Sequence, residues 1–138
     1  MPIARVEPLT TARALRGPFD YLVPDEMDGV GVGTVLQVPF GRRRLTGVVV
    51  EMAASSELPP ERLARPIRVL GGGTTPELIE LGLWLAAEYC STPARGLGLV
   101  LPPGTGTGGE RTRARVEKLS RLTEAGRAAL DDGTRLGT

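Results

Sequence analysis

Glycine and proline punctuate this chain, with 19 Gly and 12 Pro in 138 residues. Proline fixes φ and removes a backbone donor, and glycine opens the left-handed region. Such a chain fits short strands joined by tight turns better than a helical bundle. Hydrophobic residues make up 41%, enough for one core, but aromatics only 4%, so the core must be built from Val, Leu, Ile and Ala. The length suggests one domain with the start of a second.

The first hundred residues read as β-rich. Ile3 to Val6 is a short strand. Phe19 to Val23 alternates, with Phe19, Tyr21 and Val23 on one face and Asp20 and Leu22 on the other, between turns at Gly17-Pro18 and Pro24-Asp25. Thr34 to Phe40 alternates again, with Leu36, Val38 and Phe40 on one side, and Leu45 to Glu51 carries Val48-Val49-Val50. Gly41-Arg42-Arg43-Arg44 between them reads as a hairpin loop, with Gly41 supplying a positive φ. Residues 52–66 form a loop, and Ile67 to Leu70 a further strand.

One helix is expected. Thr75 caps it, Pro76 fits its first position, and Glu77 and Glu80 suit its positive end. Leu78, Leu81, Leu85 and Tyr89 form an apolar stripe that Ile79, Leu83 and Ala86 widen, which predicts a mostly buried helix with Trp84 at its margin. Pro93 stops it soon after Cys90. A Gly/Thr-rich linker follows Pro102-Pro103. The charged remainder offers Leu119–Thr123 as a strand and Thr123 as the cap of a short helix, Glu124 to Leu130.

Composition removes several chemistries. With one Cys and no His, this chain forms no internal disulfide and no Cys/His zinc site, and a serine or cysteine nucleophile has no imidazole base. Cys90 reads as a small core residue. No secretory signal and no run of 18 apolar residues is visible, which points to a cytoplasmic protein without a membrane partner. Residues 1–103 hold 10 Arg against 11 acids and residues 104–138 hold 7 basic against 5 acidic side chains, so nucleic-acid binding would need a local site.

Three motifs suggest chemistry. Gly104, Gly106 and Gly109 spell G-x-G-x-x-G, but Pro102-Pro103 before and a charged run after leave no strand-turn-helix frame, and no Lys follows for a P-loop. Arg42-Arg43-Arg44 can grip phosphates, although taken alone it reads as a solvated turn that protects a hairpin. Phe19-Asp20-Tyr21 sets a carboxylate between two rings able to stack a base. Taken alone it reads as a half-buried strand, and regular alternation turns Asp20 away from both rings.

The order of these pieces is more specific than any one of them. Met1-Pro2-Ile3-Ala4-Arg5-Val6, Phe19-Asp20-Tyr21-Leu22-Val23-Pro24, Val38-Pro39-Phe40-Gly41-Arg42 with Gly47-Val48-Val49, Glu57-Leu58-Pro59 with Arg65-Pro66-Ile67, Leu83 to Cys90, and Leu101-Pro102-Pro103 follow one another over residues 1–103. This series resembles the N-terminal region of the primosomal protein N′ family, bacterial replication-restart DNA helicases. Leu122 to Leu130 is similar to an early segment of that family's winged-helix domain.

The resemblance implies an α+β, mainly β fold: a small β-barrel-like domain with one buried helix at 1–103, a linker at 104–115, and an incomplete winged-helix segment at 116–138. It implies binding of the 3′ end of the nascent leading strand at a stalled or branched fork. The site would use Phe19, Asp20, Tyr21 and Gly41, with Arg42 beside them. The family's pocket also has a basic residue in the later loop. Ala64 falls at that position here, and Arg65, one residue on, is its stand-in. No catalytic constellation lies in this chain. The resemblance places an ATP-dependent 3′–5′ helicase core, with its ATP and zinc sites, downstream. It further implies other primosome proteins and single-stranded-DNA-binding protein as partners. The alternative is a small β-barrel that contacts protein or RNA through Arg42–Arg44.

Overall fold

The alternating segments become five antiparallel strands in the computed structural model, which describes residues 1–10, 12, 15–89, 91–105 and 119–133. They are β1 (Ile3–Pro8), β2 (Phe19–Leu22), β3 (Val35–Phe40), β4 (Arg43–Ala53) and β5 (Arg68–Leu70). Their order in the sheet is β2-β1-β4-β3-β5. Three helices follow: α1 (Pro76–Glu88), α2 (Pro93–Val100) and α3 (Glu124–Asp131). No helix among the described residues is long and apolar enough to cross a membrane.

Each face of the sheet carries a core, the second one over part of its area. One packs Ala4, Val6, Tyr21, Val23, Leu36, Val38 and Val49 together. The other packs Val35 and Val48 against Ile79, Leu97 and Leu101. This accounts for the unbroken run Val48-Val49-Val50, which serves both cores in turn. A β-bulge shifts the alternation of β4 by one residue, so that Val49 and Met52 both face the first core. Arg5 pairs with Glu51 but Val6 pairs with Val49, so Val50 is the extra residue.

The sheet curls without closing into the expected barrel. Its edge strands β2 and β5 do not pair with each other. Contacts across the first face draw β2 toward β3 instead: the Phe19 and Phe40 rings lie 4.9 Å apart, and Tyr21 Oη donates to Pro39 O at 2.9 Å. A connecting segment bridges the remaining gap. Ala64 O accepts from Leu22 N at 2.9 Å, and Ile67 N donates to Gln37 O at 2.7 Å. So short a span cannot supply a strand's full ladder, so it covers the edges without sealing them.

The hairpin turn is tighter than the four residues expected. Phe40 pairs with Arg43 and Pro39 with Arg44, leaving Gly41 and Arg42 as the turn, with Gly41 at φ 58°. Arg43 and Arg44 therefore belong to β4. That strand also runs on to Ala53, two residues beyond its expected end, because β1 pairs with that end as far as Ala53.

Helix α1 starts as expected, with the Thr75 hydroxyl accepting from Leu78 N at 3.4 Å. Its buried face differs. Ile79, Gly82 and Ala86 point inward, whereas Leu78, Leu81, Trp84 and Tyr89 are exposed, Trp84 by 55% and Tyr89 by 72%. The cause is α2, a helix that the glycine-rich segment around Gly96 and Gly98 concealed. Gly82 and Gly96 face each other so closely that a Cβ on Gly96 would stand 2.1 Å from Gly82 O. Close approach of small residues outranks the wider leucine stripe.

Toward the C-terminus, α3 forms where Thr123 caps it, accepting from Gly126 N at 3.1 Å. Leu119–Thr123 is not a strand: no described strand pairs with it, and Leu119 is exposed. A lone strand would leave its backbone groups to water. Cys90 and most of the expected linker lie outside the described residues.

Candidate functional site

Strand β2 presents its two faces to different environments. Tyr21 is 4% exposed, a core residue whose phenol is pushed up by burial and anchored on Pro39 O. Phe19 is half-buried against Phe40. Because Gly41 follows Phe40 directly, Phe19, Phe40 and the Gly41-Arg42 turn come together at one end of the sheet.

Asp20 points the other way, as strand alternation requires. It pairs in register with Arg5 on β1, which pairs with Glu51 on β4. The result is a charge ladder over three strands. Arg5 Nη1 donates to Glu51 Oε2 at 2.9 Å, and Arg5 Nε lies 3.5 Å from Asp20 Oδ1. Asp20 Oδ2 accepts a hydrogen bond from the Ser56 hydroxyl. Ser56 is itself oriented by its turn, its oxygen accepting from Leu58 N at 3.2 Å. The Asp20 side chain is 19% exposed, against 35% for Arg5 and 56% for Glu51.

The segment that leads into β2 is held from below. Glu7, 3% exposed, accepts from Gly17 N at 3.0 Å. Burial raises the Glu7 carboxyl above its usual range, against the opposing pull of that N–H and of the nearby Arg16 charge.

The six residues expected to form the site are thus only partly gathered. Phe19, Gly41 and Arg42 share one end of the sheet, and Asp20 looks out from the opposite face. The Tyr21 ring lies inside. Arg65 is exposed and follows Ala64, whose carbonyl ties that segment to β2. Among the described residues, neither Arg65 nor any of Arg42, Arg43 and Arg44 has an ion-pair partner. Arg5, Glu51 and Ser56 were not foreseen. A polar Arg5 between buried Ala4 and Val6 was a visible signal of a strand's other face. Ser56 gave none, since only the tertiary fold brings its loop to β2.

Residues 8–102 match the family model of the 3′DNA-binding domain (3′BD). That span takes in everything from β2 to the end of α2, and so defines the class: a small sheet domain that binds DNA. Similar stretches occur in the replication restart protein PriA of three bacteria. The identity is 34% over 85 residues in Rickettsia conorii, covering 62% of this chain and 13% of the relative. It is 34% over 92 residues in a Synechocystis species, covering 64% and 11%. In Haemophilus influenzae it is 30% over 120 residues, covering 83% and 16%. The chain belongs to the PriA 3′DNA-binding domain family, and it spans only about a tenth to a sixth of the length of these relatives.

Proposed function

We propose that this domain holds the 3′ end of the nascent leading strand at a stalled or branched replication fork. In this reading it is the DNA-binding part of a cytoplasmic replication-restart helicase. One observation carries the 3′-end part of it: Asp20 keeps a sheltered carboxylate oxygen, Oδ1, that has no hydrogen bond among the described residues. An ionised carboxylate only accepts. A terminal nucleotide supplies a donor, its 3′-hydroxyl, whereas an internal nucleotide has a phosphate there, and two negative groups would meet in a poorly screened place. Phe19, at the rim of the first face, is the ring available for stacking, worth roughly 1–3 kcal/mol per base without sequence preference. In this reading the DNA passes over the edge of β2, and Gly41 and Arg42 at the turn and Arg65 on the bridging segment would contact it on the other side of that edge from Asp20. ATP hydrolysis, zinc binding and contacts with other primosome proteins would belong to the rest of the parent. The tail from residue 116 would open its winged-helix domain.

Titration of a fork whose leading strand ends in a 3′-hydroxyl or a 3′-phosphate tests the reading. Tighter binding of the hydroxyl end is expected. Asp20→Asn should narrow the difference, because the amide keeps an acceptor and loses the charge, and Asp20→Ala should weaken hydroxyl-end binding. Equal affinity of the parent domain for both ends would falsify the proposal.

A further inference from the structure

Arg5 and Asp20 offer opposite hydrogen-bonding chemistry to one space. Ser56 occupies Asp20 Oδ2, whereas Oδ1 makes no hydrogen bond among the described residues and faces only the Arg5 charge. Arg5 spends one N–H on Glu51. A guanidinium has five, so donors remain on the side facing Asp20, where Nε lies 3.5 Å from Oδ1. An acceptor and a donor this close are both satisfied by one group that donates and accepts at once. A hydroxyl is such a group, and a phosphate is not.

Opposite charges directly across antiparallel strands also make an ordinary stabilising ladder. Two features exceed that role. The ladder has two acids for one cation, so Arg5 is shared rather than committed. Asp20 is the more sheltered of the two acids, and an unmade hydrogen bond is costlier there than on exposed Glu51.

We propose that Arg5 is a specificity-determining residue of the end site, donating to the oxygen of the same 3′-hydroxyl whose proton Asp20 Oδ1 accepts. This rests on the 3′-end reading above. Its consequence is that Arg5 and Asp20 act on end discrimination in opposite senses. Asp20 repels a 3′-phosphate, whereas Arg5 attracts it and blunts the discrimination. A charged phosphate gains a Coulomb attraction from the guanidinium that a neutral hydroxyl lacks. Loss of Arg5 therefore weakens binding of both ends, the phosphate end more.

The test measures the affinity of the full 138-residue chain for forks ending in 3′-hydroxyl or 3′-phosphate, by fluorescence anisotropy. Arg5→Gln should raise the hydroxyl-to-phosphate affinity ratio by about fivefold, Arg5→Lys should hold it near the parent value, and Asp20→Asn should lower it. Glu51→Gln, at an exposed position that needs no refolding of the sheet, frees Arg5 for the site and should lower the ratio too. If Arg5→Gln and Glu51→Gln leave the ratio where it is while the parent still prefers the hydroxyl end, the ladder is structural only and the role of Arg5 is overturned. If the parent does not distinguish the ends, the 3′-end reading itself is lost.

Discussion

The crossing of α1 and α2 offers a sharp test, because two glycines of one helix should respond in opposite directions. A methyl group added at Gly96 would lie 2.1 Å from Gly82 O and 2.8 Å from Ala86 Cβ, while at Gly98 it would meet nothing within 4 Å. A backbone oxygen cannot rotate away, so the helices must separate by roughly 1 Å to restore ordinary packing. That movement loosens Ile79 and Leu97, both buried between the helices and the sheet. Overpacking of this kind costs about 1–3 kcal/mol, and a rigid backbone obstacle favours the upper end. The better helix propensity of Ala returns about 1 kcal/mol. Gly96→Ala should therefore destabilise by about 2 kcal/mol, and Gly98→Ala should stabilise by up to about 1 kcal/mol. For a domain of this size the expected shifts in Tm are about 10 °C down and about 5 °C up. Thermal melts followed by circular dichroism, with urea titrations as a second measure, decide the matter. If Gly96→Ala melts as high as Gly98→Ala, the close crossing of α1 and α2 is refuted.

Glu7 should make stability depend on pH. Burial raises its carboxyl above the unfolded value, so the folded state holds the proton more tightly, and stability falls as pH rises through the window above 4.5. Glu7→Gln, which keeps an oxygen for Gly17 N, should flatten that fall in urea melts run from acid to neutral pH; an unchanged profile would assign the dependence elsewhere. Replacing Arg42, Arg43 and Arg44 together with Ala should weaken binding to all DNAs alike. It should also flatten the salt dependence, by about 0.9 in slope for each phosphate these arginines neutralise. Unaltered binding would make the turn a solvated hairpin tip.

Much of this protein was legible one segment at a time. Period-2 alternation marked β2 and β3 and placed Phe19, Tyr21 and Val23 on one face. Gly41 marked the hairpin turn, and Thr75 and Thr123 marked two helix starts, since capping and turn chemistry act over three or four residues. Alternation also foretold that Asp20 would face away from the aromatic rings. The sequence resemblance alone was enough to indicate the family.

What the tertiary structure decided lies in contacts between segments far apart in the chain. Leu78, Leu81 and Tyr89 of the expected α1 stripe stay exposed because Gly82 and Gly96 permit a backbone approach that no helix periodicity encodes. The barrel stays open because a short connecting segment, and not a strand, spans Leu22 to Gln37. Arg5, Asp20, Glu51 and Ser56 meet because antiparallel register aligns three strands and the loop after β4 returns to β2. Register is set by core packing over the whole sheet, so a short-range pattern can name the strands but not the neighbours of their polar faces.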